Sequence, residues 1–198
     1  MALPSMLVSE DDPPSKRAIL TAALTLFARD GVEETNIRSI AAEAGYTNPA
    51  LFKFFAGKEA LALYLFERCY AHCLAALRGA LSRTATFSAN LHAVVRDFVA
   101  LVERDPDVFF FVNDNLRRYW PHASAATRRH SMIGEFRTLV EQGRREGCVT
   151  RDVSIELQIT AITGFFSQLA RLHHFGEFDG DLRAQRDDIE SMIVKLLA

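Results

Sequence analysis

Apolar residues recur at helical spacing along almost the whole chain, broken by turn formers and never by the strict alternation of a strand. Ile19, Ala23, Leu26 and Phe27 form a first stripe, and Asp30-Gly31 supplies its stop. Ile37, Ile40, Ala41 and Ala44 repeat at i, i+3, i+4 and i+7. Asn36 stands as N-cap and Gly45 just past the end, so this pattern predicts a helix of about two turns. After a short stretch rich in large apolar residues, Lys58 to about Ser82 runs without proline and with one glycine, Gly79. At about 1.5 Å per residue that helix would be close to 40 Å long, a length suited to linking two units.

Five further helices follow. Leu91, Val94, Val95, Phe98 and Val102 mark one; Asp105-Pro106 starts the next, and Trp120-Pro121 ends it because proline pushes its preceding residue out of helical conformation. Met132, Phe136, Leu139 and Val140 mark a helix that stops near Gly147, and residues 152–175 and 181–197 supply the last two. The expected fold is all-α with about nine helices. Residues 1–14, acidic and holding three of the six prolines, read as a flexible tail. Residues 15–57 read as a small N-terminal domain and 58–198 as a larger helical one.

The last two helices carry more apolar surface than one small core covers. Ile155, Ile159, Ile162, Phe166 and Leu169 form one stripe, while Leu157, Ala161, Phe165 and Leu172 lie well round from it. Leu182, Ile189, Met192, Ile193, Leu196 and Leu197 add to the surplus. It points to self-association through an intermolecular helix bundle, with Ile159, Ile162, Phe166, Leu169, Ile189, Met192, Ile193 and Leu196 as the expected interface. The alternative is that both faces are buried within one protomer.

Composition narrows the class. The chain has 198 residues and is 49% hydrophobic, enough for one substantial core or two small ones. No uncharged apolar run reaches the roughly 18 residues of a membrane span, and MALPSMLVSEDDPP lacks the basic start and apolar core of a signal peptide, so a cytoplasmic location without membrane contact is expected. Three cysteines fit thiols in a reducing compartment. The net charge of −2 is uneven: residues 16–83 carry nine Lys/Arg against six Asp/Glu. No glycine-rich phosphate loop, H-E-x-x-H or nucleophile elbow is present, so neither an enzyme nor a cofactor is expected.

The basic excess surrounds AGYTNPALFKFFAGKEAL, residues 44–61. A two-turn helix, the turn Gly45-Tyr46-Thr47 and a second helix from about Asn48 have the dimensions of a helix-turn-helix. Gly45 permits a left-handed turn, Thr47 caps the new helix, and Pro49 fits in its first turn. Leu51 and Phe55 fall four apart and face inward. Thr47, Asn48, Ala50 and Lys53 then face out, with Phe52 and Phe54 at the flanks.

At these residues the chain resembles the N-terminal domain of the TetR family of transcriptional regulators. LFARDG at 26–31 and TNIRSIAAEAGYTNPALFKFFAGKEAL at 35–61 keep the family's spacing throughout. The resemblance covers residues 16 to about 66. It implies a DNA-binding head followed by a helical ligand-binding and dimerising domain, with a small-molecule inducer releasing a palindromic double-stranded operator. By position it implies that Asn36, Thr47, Asn48, Pro49, Ala50, Phe52, Lys53, Phe54 and Lys58 form the DNA-binding surface. Thr47, Phe54 and Lys58 match places that often hold phosphate. Where the family usually has Tyr this chain has Phe52, and where it often has Tyr or His it has Phe54. A phenyl ring keeps the packing but donates no hydrogen bond.

Two further groupings invite chemistry. Cys69, His72 and Cys73 fall at i, i+3 and i+4, close enough to chelate a soft metal with Cys148 or a histidine, or to act as a redox sensor. The alternative is that the two cysteines extend the inward stripe of Leu65 and Phe66. The aromatic run 108–112, including Phe110, joins Phe98, Trp120, Phe136 and Phe165 as core or as the lining of an apolar pocket. His72, Asn113 and Gln168 are the polar candidates for orienting a hydrophobic or aromatic ligand there. Arg144-Arg145 reads as a solvated face.

Overall fold

The computed structural model describes Leu7, residues 11–81 and residues 86–198. Its elements are α1 (Pro14–Asp30), α2 (Ile37–Glu43), α3 (Asn48–Phe52), α4 (Lys58–Leu81), α5 (Phe87–Arg104), α6 (Pro106–Tyr119), a 3-10 turn (Trp120–His122), α7 (Ala125–Arg128), α8 (Met132–Glu146), α9 (Ile155–His174) and α10 (Arg186–Leu197). No strand occurs among the described residues. The additional helix, α7, is a single turn whose Ser124 hydroxyl accepts from the Thr127 N–H at 3.2 Å. Helix α9 begins at Ile155, not 152, because Ser154 caps it by accepting from the Leu157 N–H at 3.3 Å. Helix α10 begins at Arg186, not 181, after the fully buried Leu182.

Ser82 and most of the expected tail, 1–6 and 8–10, lie outside the described residues. The remainder of that tail is engaged with the fold. Leu7 is fully buried, Asp12 accepts from Lys16 Nζ at 2.8 Å and lies 3.9 Å from Arg68 Nη2, and Pro14 opens α1. Helix α4 is long and apolar enough by composition to cross a membrane, yet more than half of its most apolar window is buried within the protein.

The chain divides into two compact units, and the division does not run at 57/58. One unit holds the residues up to Cys73 together with Asp107–Arg129; the other holds Leu74–Pro106 and His130–Ala198. Helix α4 contributes to both, and α6 belongs with α1–α3. In the first unit Ile19, Leu20, Ile40, Leu51, Leu61, Leu65 and Phe66 are fully buried. Phe27 of α1 stacks on Phe111 of α6 at 5.7 Å between centroids, and Phe66 of α4 packs on Tyr119 at 5.8 Å.

In the second unit α5 packs on α8 and α10, and α9 packs on the same two helices. Ile159, Ile162, Phe166, Leu169, Ile189 and Ile193 are at most 6% exposed, so these six form the core of this unit. That corrects the expected dimer interface. Packing by α8 and α10 selects the Ile159 stripe of α9 for the interior. It leaves the other face outward, with Leu157 62% exposed, alongside exposed Met192 and Leu196 of α10. Arg144 is not merely solvated either: its Nε and Nη2 reach Gln158 Oε1 at 3.0 and 2.7 Å. Gln158 Nε2 donates to the Thr150 carbonyl at 3.0 Å, so this buried amide is satisfied at both ends.

Neighbouring side chains crowd Gly143 of α8. A Cβ there would lie 2.4 Å from Val149 Cγ2 and 2.8 Å from Phe87 Cδ2. Gly143→Ala should therefore force α8 away from α5 despite the better helix propensity of alanine. We expect a loss of about 1–3 kcal/mol, read as a lower urea midpoint with an unchanged slope.

Candidate nucleic-acid interface

The α2–α3 pair is fixed from its ends. Asn36 Oδ1 accepts from the Ser39 N–H at 3.0 Å, and the Asn36 N–H donates back to Ser39 Oγ at 3.3 Å. This reciprocal cap satisfies donors that a helix start leaves open. Just upstream, the buried Thr35 hydroxyl donates to the Gly31 carbonyl at 2.7 Å and holds the α1–α2 loop. At the other end Gly45 sits at φ 72°, and the N–H groups of Gly45 and Tyr46 close on the Ala42 and Ala41 carbonyls at 3.0 and 2.9 Å. The chain leaves extended at Thr47 and enters α3 with Pro49 in its first turn.

Helix α3 is only five residues long. Leu51 is fully buried and Phe55 nearly so, both inward as their spacing predicts. Thr47, Pro49, Phe52 and Lys53 are exposed; Asn48 and Ala50 are half-buried. Two expectations need correction. Thr47 occupies the N-cap position without making a side-chain cap bond, and Lys53 is the C-cap of α3, not a residue within it. The two phenylalanines also part company. Phe54 is half-buried and meets Phe55 edge-on at 6.5 Å, while Phe55 lies 5.4 Å from the Tyr64 ring. Phe52 remains 53% exposed.

Lys58 opens α4 and donates from Nζ to the Glu33 carbonyl at 3.0 Å. The Glu33 carboxylate is in turn held by Arg118, whose Nη2 also donates to Glu59 Oε1 at 2.9 Å. The Tyr119 hydroxyl donates to Glu59 Oε2 at 3.1 Å. The hydrogen bond from Arg118 lowers the Glu33 pKa below the usual glutamate value, and Glu33 raises that of Arg118. Burial first, and then the charge of Glu59, pushes the Tyr119 hydroxyl well above its ordinary range, so it stays a donor. Glu33 and Glu59 are exposed, so water and salt screen the clasp and it adds little stability. Its effect is positional, since it fixes the loop whose carbonyl holds Lys58. Sequence reasoning missed it because Arg118 is 85 residues from Glu33, and Arg117-Arg118 at a helix end looks like ordinary dipole complement.

Residues 19–65 match the model of the tetR family of bacterial regulatory proteins. This segment, from α1 into α4, carries the likeness to the tetR family. The α2–α3 pair is thus the helix-turn-helix of a DNA-binding transcription regulator. Solved structures of transcription regulators extend the likeness over nearly the whole chain. A TetR family transcription regulator from Marinobacter aquaeolei VT8 superposes with a TM-score of 0.77 at 22% identity, covering 93% of this chain and 96% of its own. The ketosteroid transcriptional regulator KstR2 of Mycobacterium tuberculosis gives 0.76 at 17% identity, with 96% and 97% covered. The transcriptional regulator FadR from Bacillus subtilis, solved in complex with stearoyl-CoA, gives 0.69 at 16%, with 91% and 98% covered. At these identities the likeness is one of fold. No curated protein matches the sequence.

The expected pocket residues divide between the two units. Phe98, Phe136 and Phe165 gather round Phe166, at 4.4, 6.1 and 6.2 Å between centroids, whereas Gln168 of the same unit is exposed. His72, Phe110, Asn113 and Trp120 belong to the other unit, where Trp120 packs on Tyr70 at 4.9 Å and His72 and Phe110 are buried. Cys69, His72 and Cys73 all lie in that core, and among the described residues no group of three or more His, Cys, Asp or Glu is arranged to hold a metal ion. Burial, with Cys73 beside it, pushes the Cys69 thiol well above its usual range and disfavours the thiolate that ligation or oxidation needs.

Two outcomes follow from this geometry. Asn36→Ala removes the reciprocal cap and should lower stability by about 1 kcal/mol in urea titration. Zinc or copper added to the purified protein should leave its DNA affinity unchanged; a metal-dependent shift in affinity would reinstate the sensor alternative.

Proposed function

We propose that the protein is a homodimeric cytoplasmic repressor that reads a palindromic double-stranded operator and releases it on binding a small apolar ligand. The observation that carries this reading is the outward face of α3 in a tetR-family head. Thr47, Asn48, Pro49, Ala50, Phe52 and Lys53 are presented there by two buried anchors, Leu51 and Phe55. A helix fills the major groove, where Asn48 suits an adenine edge and Lys53 a guanine edge or a phosphate. Thr47, the amide nitrogen of Asn36 and Lys58 serve the backbone, Lys58 with the dipole of the 24-residue α4 behind it. Phe54, turned inward and without a hydroxyl, serves packing and not phosphate.

The second copy of the chain is assigned to the outward face of α9 and α10: Leu157, Ala161 and Leu172 with Met192 and Leu196. The ligand is assigned to the apolar ring cluster of Phe98, Phe136, Phe165 and Phe166. Its class is suggested by the stearoyl-CoA bound to one regulator of the same fold and by the ketosteroid regulation named for another. An acyl chain or a steroid skeleton suits a lining of phenyl rings. Release is a population shift in which ligand favours a form with the wrong spacing of the two heads, with α4 as the link.

The test is the salt dependence of binding to the DNA flanking the coding region. For a dimer neutralising six or more phosphates, affinity should fall by roughly 10³-fold or more between 50 and 200 mM salt. Binding insensitive to salt would favour a head that contacts protein instead. Leu157→Glu combined with Met192→Glu should shift the protein to monomer in sedimentation and abolish operator binding; a dimer that survives both charges would remove the assigned interface.

A further inference from the structure

The outward face of α3 is unusually poor in hydrogen-bonding groups for a surface that must read bases. It offers one amide, Asn48, one hydroxyl, Thr47, and one cation, Lys53, against the apolar Pro49, Ala50 and Phe52. Among the described residues Phe52 is the most exposed large apolar side chain of its unit, and no other ring packs on it. It follows Pro49 by three residues, so the two share one face. The neighbouring Phe54 is turned in toward Phe55, so the exposed phenyl stands alone at the outer edge of the helix.

Resting on the DNA-binding reading above, we propose that Phe52 is a specificity-determining residue that selects thymine through its 5-methyl group. The major-groove edge of a base pair displays donors, acceptors and a single apolar group, the thymine C5-methyl. A phenyl ring pressed on a donor or acceptor strips its water without replacing the hydrogen bond, which disfavours every other edge at that step. Against the methyl it buries apolar surface on both sides. Pro49 and Ala50 extend the same preference to the adjoining step, so each half-site carries thymine, on either strand, at the base pairs facing Pro49 and Phe52. Sequence choice at those positions then comes from apolar contact, while Asn48 and Lys53 read polar edges at their own steps.

The experiment selects bound duplexes from a random pool with the full chain, then replaces each selected dT by dU one at a time, which removes only the methyl. Affinities are measured for the native protein and for Phe52→Ala, whose fold is checked by circular dichroism and is expected to hold because the ring is largely exposed. At least one dU per half-site should weaken native binding roughly fourfold, the equivalent of about 0.8 kcal/mol for one buried methyl. The same dU should cost Phe52→Ala little or nothing. Selected half-sites without thymine at any groove-facing position would overturn the proposal, as would a dU penalty of equal size in both proteins. Failure to select any sequence above non-specific binding would instead overturn the DNA-reading function itself. If Phe52→Ala does not fold, Phe52→Leu serves in its place, with the dU penalty expected to shrink but not vanish.

Discussion

A helix of five residues cannot hold itself together. Isolated helices below about 12–15 residues are marginal in water, so α3 has no stability of its own to bring to a binding surface. What points its outer face is packing and flanking structure: Leu51 and Phe55 sunk in the head core, the left-handed turn at Gly45, and the two-way cap that starts α2 at Asn36. The same constraint explains why so much of the first unit is devoted to support. Phe55 leans on Tyr64, and Tyr64 accepts a hydrogen bond from Lys16, which is itself paired with Asp12. The presented surface is small, and its backing is large.

The supports were legible in proportion to how local they are. Asn36 with Ser39, Gly45 and the Leu51–Phe55 pair declare themselves because cap, turn and i+4 spacing are set within a few residues. The Arg118 clasp joins groups 59 and 85 residues apart, and nothing in either neighbourhood announces the other. The faces of α9 show a different limit. Periodicity displayed both apolar stripes correctly, but which one turns inward depends on where α8 and α10 pack. The Ile159 stripe was therefore assigned to a partner when it belongs to the protomer, and Leu157 was passed over. The Phe52 and Phe54 pair was a smaller case of the same kind. Adjacent phenylalanines look alike in sequence, and only the position of Phe55 decides which is spent on packing.

The two units also differ in how their polar interiors are used. In the second, Gln158, Arg144 and Thr150 form a chain in which each buried polar atom has its partner, tying the end of α8 to the start of α9. In the first, Tyr119, Glu59, Arg118 and Glu33 run from the core to the surface and end at the carbonyl that holds Lys58. One network locks a corner. The other carries the position of α6 to the first turn of α4.

The stacking of Phe27 on Phe111 has a further consequence, for the order in which the protein is made. The two rings are 84 positions apart, and Leu74–Pro106 between them belongs to the other unit. During synthesis the helix-turn-helix leaves the ribosome early, but its core lacks α6 until more than half of the chain has been translated. The head is thus among the first parts to emerge, yet it is completed only after Leu74–Pro106 of the other unit has been made. A nascent chain stopped before Asp107 would carry an open apolar face where Phe111 should stand, so the head closes only once α6 has been made, still ahead of α8, α9 and α10 of the other unit.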